Sequence, residues 1–196
     1  MGEIRDAART RGKIMEAARD EFAERGFAGG RMESIAKRAG IAKQLLYHYF
    51  ANKEALFEAT FRSKYEQHKP PRTAVEGPGE LFVHRFAAAI ADPVWIRFLS
   101  WEAAEHRDAG EIIAEAPRRE AIARGAAAVV RAQKADDLPA DMPPELLQLA
   151  IYALGLFPVA FPQTTEMIAG QGPEDGDFQA RWMAFLDDLA QRLARP

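Results

Sequence analysis

Lys43, Gln44, Tyr47 and His48 recur at spacings that place them on one side of a helix, with no acidic residue among them. Side chains of this kind donate to phosphates and base edges, so the chemistry on offer is recognition of a nucleic acid. The stretch that holds them, Arg31 to Lys53, reads RMESIAKRAGIAKQLLYHYFANK. Its apolar spacing predicts a helix over Met32–Ala39, a tight turn at Gly40-Ile41 and a second helix over Lys43–Tyr49. Gly40 can take the positive φ of the turn, while Ile35, Ala36, Ile41 and Leu46 pack the two helices together. This is a helix-turn-helix layout, whose second helix can enter the major groove. Helix–glycine–helix pairs also occur in all-helical cores without that role, so spacing alone leaves plain packing open.

A second cluster, Glu102, Glu105 and His106, has the outline of half a carboxylate–histidine metal site. The matching Glu-x-x-His element on another helix is missing, and the sequence has neither a glycine-rich phosphate loop nor a nucleophile elbow. A solvated helical face explains the cluster better. The chain has no cysteine, which excludes disulfides, zinc–thiolate sites and thiol nucleophiles. No enzyme, cofactor or metal is expected.

The chain's 196 residues, 48% of them apolar, suffice for a substantial core. Net charge is only −3, but it is unevenly spread. Residues 1–69 carry 14 basic against 10 acidic side chains, and the rest carry 12 against 19. A basic first third on an acidic body points to a polyanion partner for that third. The opening residues are charged and lack an apolar stretch, so no signal peptide is expected. The longest uncharged run, Leu146–Phe161, is short for a membrane span and contains Gly155 and Pro158. The expected location is the cytoplasm, with no membrane partner.

Almost every segment has helical periodicity, so the expected fold class is all-α. A first helix shows Ile14, Ala17, Ala18 and Phe22 on one face, and Gly26 ends it. Asn52 caps a helix from Lys53 that Pro70-Pro71 forbids to continue. Residues 69–79, rich in Pro and Gly, read as a linker between residues 1–68, with the fourth helix bridging onward, and residues 80–196. Further helices are expected near 80–90, from Asp92-Pro93 to about His106, over 118–135, and from Asp141-Pro143 until Pro158 and Pro162 bend or break it. A last helix, Phe178–Ala194, carries Phe178, Trp182, Phe185, Leu186, Leu189 and Leu193 on one stripe. Leu146–Phe157 is apolar nearly all round. Either these two helices enter a deep monomer core, or they meet their symmetry mates in a four-helix dimer interface; the dimer is the expectation adopted.

The first sixty residues resemble the DNA-binding domain of the TetR (tetracycline-repressor) family. The likeness rests on Ile14, Ala17-Ala18, Phe22, Gly26-Phe27, Ile35-Ala36, Ala39-Gly40-Ile41, Lys43, Leu46-Tyr47-His48-Tyr49-Phe50, Lys53-Glu54 and Leu56, in register without a gap. The resemblance implies a three-helix DNA-binding head followed by a larger helical ligand-binding and dimerisation domain. It also implies a repressor that binds an inverted repeat in double-stranded DNA as a homodimer and is released by a small effector. By the same resemblance, Tyr47 and His48 would donate to phosphates, and Lys53 would hold another at the start of the fourth helix. Lys43, Gln44 and Leu45 would open the recognition helix, with Gln44 able to pair bidentately with adenine. Leu45 could touch a thymine methyl or simply pack.

Three positions depart from the family pattern. Gly30-Arg31 stand where Thr or Ser usually cap the second helix, leaving Arg31 either to replace the phosphate contact or to sit in solvent. Ala42 stands where Ser or Thr usually caps the recognition helix, forgoing about 1 kcal/mol. Gln44-Leu45 replaces a smaller pair, which implies a base preference of its own. The basic tail (Arg5, Arg9, Arg11, Lys13) is either a DNA-contacting arm or a solvated end. For the effector, Phe82, His84, Phe86, Phe98, Trp101 and Tyr152 are candidate lining residues, and their mixture suits an apolar or aromatic ligand. Ordinary core packing is the competing role for each. A helical ligand-binding protein without DNA function is the alternative to the regulator.

Overall fold

The computed structural model describes residues 2–67, 77–105 and 112–194. Among the described residues there are ten helices and no strand: α1 (Gly2–Gly29), α2 (Met32–Ala39), α3 (Lys43–Tyr49), α4 (Lys53–Gln67), α5 (Glu80–Ala91), α6 (Pro93–Glu105), α7 (Glu115–Lys134), α8 (Pro144–Ala160), α9 (Pro162–Ala169) and α10 (Gly176–Leu193). The chain divides into two compact units. One comprises Met1–Lys69 with Arg97–Arg118; the other comprises Pro70–Ile96 with Arg119–Pro196.

In the first unit α1 packs on α2 and α4, and α2 packs on α3. Its core is aromatic. The Phe57 ring lies edge-on to Phe22 and Phe27 and stacks on Phe98 at 4.9 Å between centroids. Phe98 also lies 5.2 Å from Phe61. This accounts for the one extension of the unit beyond the expected head. Phe98 belongs to α6, and its ring completes the cluster begun by α1 and α4. Buried Ile14, Ala18, Ile35, Leu46 and Leu56 fill the remainder, on the helical spacings predicted for them.

Local signals set the helix ends. Gly26 has φ 68° and ψ 177° and interrupts α1, so only one further turn follows before the chain leaves the helix. Gly40 adopts φ 68° and closes α2, its N–H bonding back to Lys37. Asn52 caps α4 through its side chain, accepting from the Ala55 N–H at 2.7 Å. Asp92 does the same for Trp95 at the start of α6. The expected end of that helix at His106, the Pro70-Pro71 stop and most of the linker lie outside the described residues.

In the second unit α5 packs on α8 and α10, around a core of Phe82, Phe86, Val129, Leu138, Leu147, Ile151, Phe178 and Leu186. Pro158 stays inside α8, and the break comes at Phe161, after which α9 departs at 92°. No single helix among the described residues is long and apolar enough to cross a membrane; the bent α8–α9 pair passes on length and composition alone. The last helix begins two residues earlier than expected. Asp175 caps it by accepting from the Asp177 and Phe178 N–H groups.

Candidate nucleic-acid interface

Helix α3 is held by one side and free on the other. Leu46 is fully buried, whereas Lys43, Gln44, Leu45, Tyr47 and His48 are exposed. Leu45 is 40% exposed, and the fully buried packing position of α3 is its neighbour Leu46. The exposed face offers an ammonium, an amide, a phenol, an imidazole and one isobutyl group, with no carboxylate. Such a face suits phosphate and base-edge contacts. The His48 and Tyr49 rings meet edge to face at 5.7 Å, which fixes their mutual orientation.

The two helix starts that lack Ser or Thr are both without a side-chain cap, as Arg31 and Ala42 foretold. At the first, a buried carboxylate acts nearby. Glu21, 1% exposed, accepts from the Arg31 main-chain N–H at 3.3 Å and lies 3.5 Å from Arg25 and 3.6 Å from Arg38. A carboxylate so deeply buried is tolerable only with such donors around it. Arg38 in turn makes a bidentate pair with Glu24, at 2.9 and 2.7 Å. That hydrogen bonding holds the Glu24 carboxyl below its usual range and raises Arg38 above its own. The Arg31 side chain remains exposed.

Lys53 lies elsewhere than on the open face. Its ammonium donates to the main-chain carbonyls of Phe27 at 2.8 Å, Gly30 at 3.3 Å and Ala28 at 3.4 Å, and rests 4.5 Å from the centre of the Phe27 ring. All three of its donors are thus turned toward the end of α1. Glu105 holds the same turn from its other end. One carboxylate oxygen accepts from the Phe27 N–H at 2.9 Å and the other from the Ala28 N–H at 3.3 Å. A side chain at Gly26 would collide with Glu105 and Trp101, so the glycine serves both the positive φ and this close approach. The last turn of α1, beyond Gly26, is therefore gripped by a carboxylate on its amides and an ammonium on its carbonyls, in accord with the helix dipole. Sequence spacing could not show this, because Phe27 and Glu105 are 78 positions apart. The interruption expected at Gly26 did imply amides in need of acceptors.

The two carboxylates expected on a solvated helical face are instead engaged: Glu105 as above, and Glu102, largely covered, with Arg118 at 3.0 Å. His106 lies outside the described residues.

The six candidate effector residues fall in both units. Phe82 and Phe86 are buried in the core of the second unit, and His84 is exposed on the same helix. Phe98 and Trp101 belong to the first unit. Tyr152 is half-buried, its ring covered by the guanidinium of Arg85.

A family model described as bacterial regulatory proteins, tetR family, matches residues 14–60. A second, the tetracyclin repressor-like C-terminal domain, matches residues 79–192. The chain is 35% identical over 178 residues to the HTH-type transcriptional repressor SCO4008 of Streptomyces coelicolor, covering 88% of this chain and 90% of that protein. It is 40% identical over 62 residues to the regulator UidR of Escherichia coli, 32% of each chain. Among solved structures it resembles a putative transcriptional regulator, SCO4942 of Streptomyces coelicolor, at 26% identity and a TM-score of 0.68, covering 92% of this chain and 97% of that one. It also shares the fold of the Bacillus subtilis regulator FadR in complex with stearoyl-CoA, at 19% identity and a TM-score of 0.63, covering 93% and 96%.

Proposed function

The chain belongs to the TetR family of bacterial regulatory proteins and is a DNA-binding transcriptional regulator; from that premise we propose that it is a cytoplasmic repressor acting as a homodimer on an inverted repeat. The observation that carries this reading is the acid-free, exposed face of α3. We assign DNA contacts to Lys43, Gln44, Leu45, Tyr47 and His48, and to the exposed Arg31 at the start of α2. Lys53 is assigned to positioning, because its donors already face main-chain carbonyls.

The dimer is assigned to α8 and α10. Leu146, Leu149 and Phe157 are 58%, 65% and 44% exposed and recur along one stripe of α8, with Phe185 of α10 exposed as well. So much bare apolar surface marks an interface. The stripe on α10 is divided: Phe178 and Leu186 enter the core of the same chain, and Phe185 is left outside. Two heads held one helical turn of DNA apart, about 34 Å, read two half-sites. A small, largely apolar effector binds in the second unit and favours the conformation that no longer fits both half-sites. Of the six effector candidates, Tyr152 is the one the geometry favours. The fold as such accommodates an apolar anion, stearoyl-CoA, in FadR.

Selection of bound duplexes from a random DNA library tests the reading. An inverted repeat, bound with a steep dependence on salt, is expected. Gln44→Ala should then relax the preference at one base pair per half-site, by about 1–3 kcal/mol. Uniform weakening on every operator variant would remove Gln44 from base reading. Absence of any enriched duplex from a folded dimer would favour a helical ligand-binding protein instead.

A further inference from the structure

Among the described residues, two buried side-chain nitrogens lack any hydrogen-bond partner, Nε of Arg85 and Nε1 of Trp182, and both lie in the second unit. Both are donors. What they lack is an acceptor.

Arg85 is the more telling of the two. Its guanidinium carbon sits over the Tyr152 ring, 4.1 Å from the centre, while its Nε is shut off from solvent with no acceptor. The stem of Arg85 presses on Gly155, one turn further along α8, where a Cβ would collide with it. The guanidinium is thus set in place from below by α8 rather than roaming in solvent. No carboxylate pairs with it among the described residues. The Tyr152 hydroxyl likewise makes no hydrogen bond there. One turn back on α8, buried Gln148 spends its amide on the Ile122 carbonyl at 2.8 Å, so it does not serve Arg85. Phe82 and Ala89, one turn to either side of Arg85 on α5, are fully buried. A permanent cation with a buried, unmatched N–H amid apolar neighbours is unfavourable for folding alone.

We propose that Arg85, seated on Tyr152 between α5 and α8, anchors the anionic group of the effector, a carboxylate carried on an apolar body. The proposal rests on the effector-sensing reading above and adds to it the charge of the ligand and the residue that reads that charge. Once α5 and α8 part enough to uncover the buried Nε, a side-on, bidentate approach would give the carboxylate both Nε and one terminal nitrogen, with the Tyr152 hydroxyl as a further donor.

The test uses the full chain and the selected operator duplex. Octanoate, laurate and benzoate are compared with their primary amides as uncharged isosteres, and with inorganic phosphate as an anion without an apolar body. At least one acid should raise the melting temperature and weaken operator binding by about tenfold, within the usual range of allosteric coupling. The amides and free phosphate should do neither. Arg85→Met should abolish the response to the acid while leaving ligand-free operator affinity within about twofold, and Arg85→Lys should keep part of the response. Without ligand, Arg85→Met should melt at or above the wild-type temperature, since it removes an unmatched buried donor and keeps an apolar stem. An amide as effective as its acid, an unaltered response in Arg85→Met, silence of every acid, or a drop of several degrees in ligand-free Arg85→Met would each overturn the proposal. If no form binds the operator, the regulator reading falls instead, and the melting comparison still judges Arg85.

Discussion

The two units differ in how completely they satisfy themselves. In the first, the buried polar groups have partners within the unit: Glu21 has the Arg31 amide and two arginines, Thr60 donates to the Leu56 carbonyl, and Lys53 faces three carbonyls. In the second, Arg85 and Trp182 keep buried nitrogens without acceptors, and large apolar side chains of α8, α9 and α10 face outward. The contrast follows from what each unit must meet. A DNA-reading head presents polar groups to a polar surface and can be complete on its own. On the proposed function, the second unit keeps apolar area and unmatched donors in reserve, for a second copy of the chain and for a ligand.

The largest effect is expected from making the second unit complete without its mate. Leu149, exposed and on the α8 stripe, is the position to charge. Leu149→Asp should leave the fold of one chain intact, because little of that side chain touches its own core. It should, however, yield a monomer by light scattering and weaken operator binding by about a hundredfold or more, since the two heads no longer act as one ligand. A variant that stays dimeric would show that the bare face of α8 is not the pairing surface.

A smaller effect is expected where the first unit is most tightly satisfied. Glu105→Ala removes two charge-assisted bonds from the Phe27 and Ala28 amides and should lower stability by about 2 kcal/mol. Operator affinity should fall with it, while the salt slope stays the same, because no phosphate contact is lost. Lys53→Met should behave likewise. A slope reduced by about one in Lys53→Met would return that lysine to the phosphate role the family resemblance implied.

These residues also mark how far the sequence could be read. Helices α2 and α3 were legible to the residue, because the i, i+3, i+4 apolar pattern of α2 ends at Gly40, which must turn, and the next apolar-spaced run begins just beyond it. The outward face of α3 followed from the same pattern. Contacts across long separations were not legible. Nothing in the spacing of Glu102, Glu105 and His106 distinguishes a metal half-site from a carboxylate that grips a distant turn. Aromatic residues suit cores and pockets equally, so composition could not sort the effector candidates, nor could it supply the Arg85 guanidinium that covers Tyr152. The division of the last helix between core and surface was hidden too, since one apolar stripe can serve both.

The smallest effect, and the one that sharpens the comparison most finely, concerns the single place where the first unit forgoes a cap on its reading element. Ala42 is extended, at φ −67° and ψ 142°, which is already the backbone geometry of a helix N-cap, yet it offers no side-chain acceptor. The first amides of α3 depend instead on short main-chain bonds from Leu45 and Leu46 to the Ala42 carbonyl, at 3.0 and 3.2 Å. Ala42→Ser adds the missing oxygen without disturbing φ and ψ, and should stabilise the head by about 1 kcal/mol. If α3 already holds its reading geometry without DNA, operator affinity should stay nearly level. If the helix is ordered by the operator, that stabilisation should reappear as tighter binding, by up to about fivefold for 1 kcal/mol. Melting and operator titration on the same variant therefore tell apart a head that is complete before it meets DNA from one that DNA finishes. The satisfied contacts around Glu21, Glu105 and Lys53 favour the former.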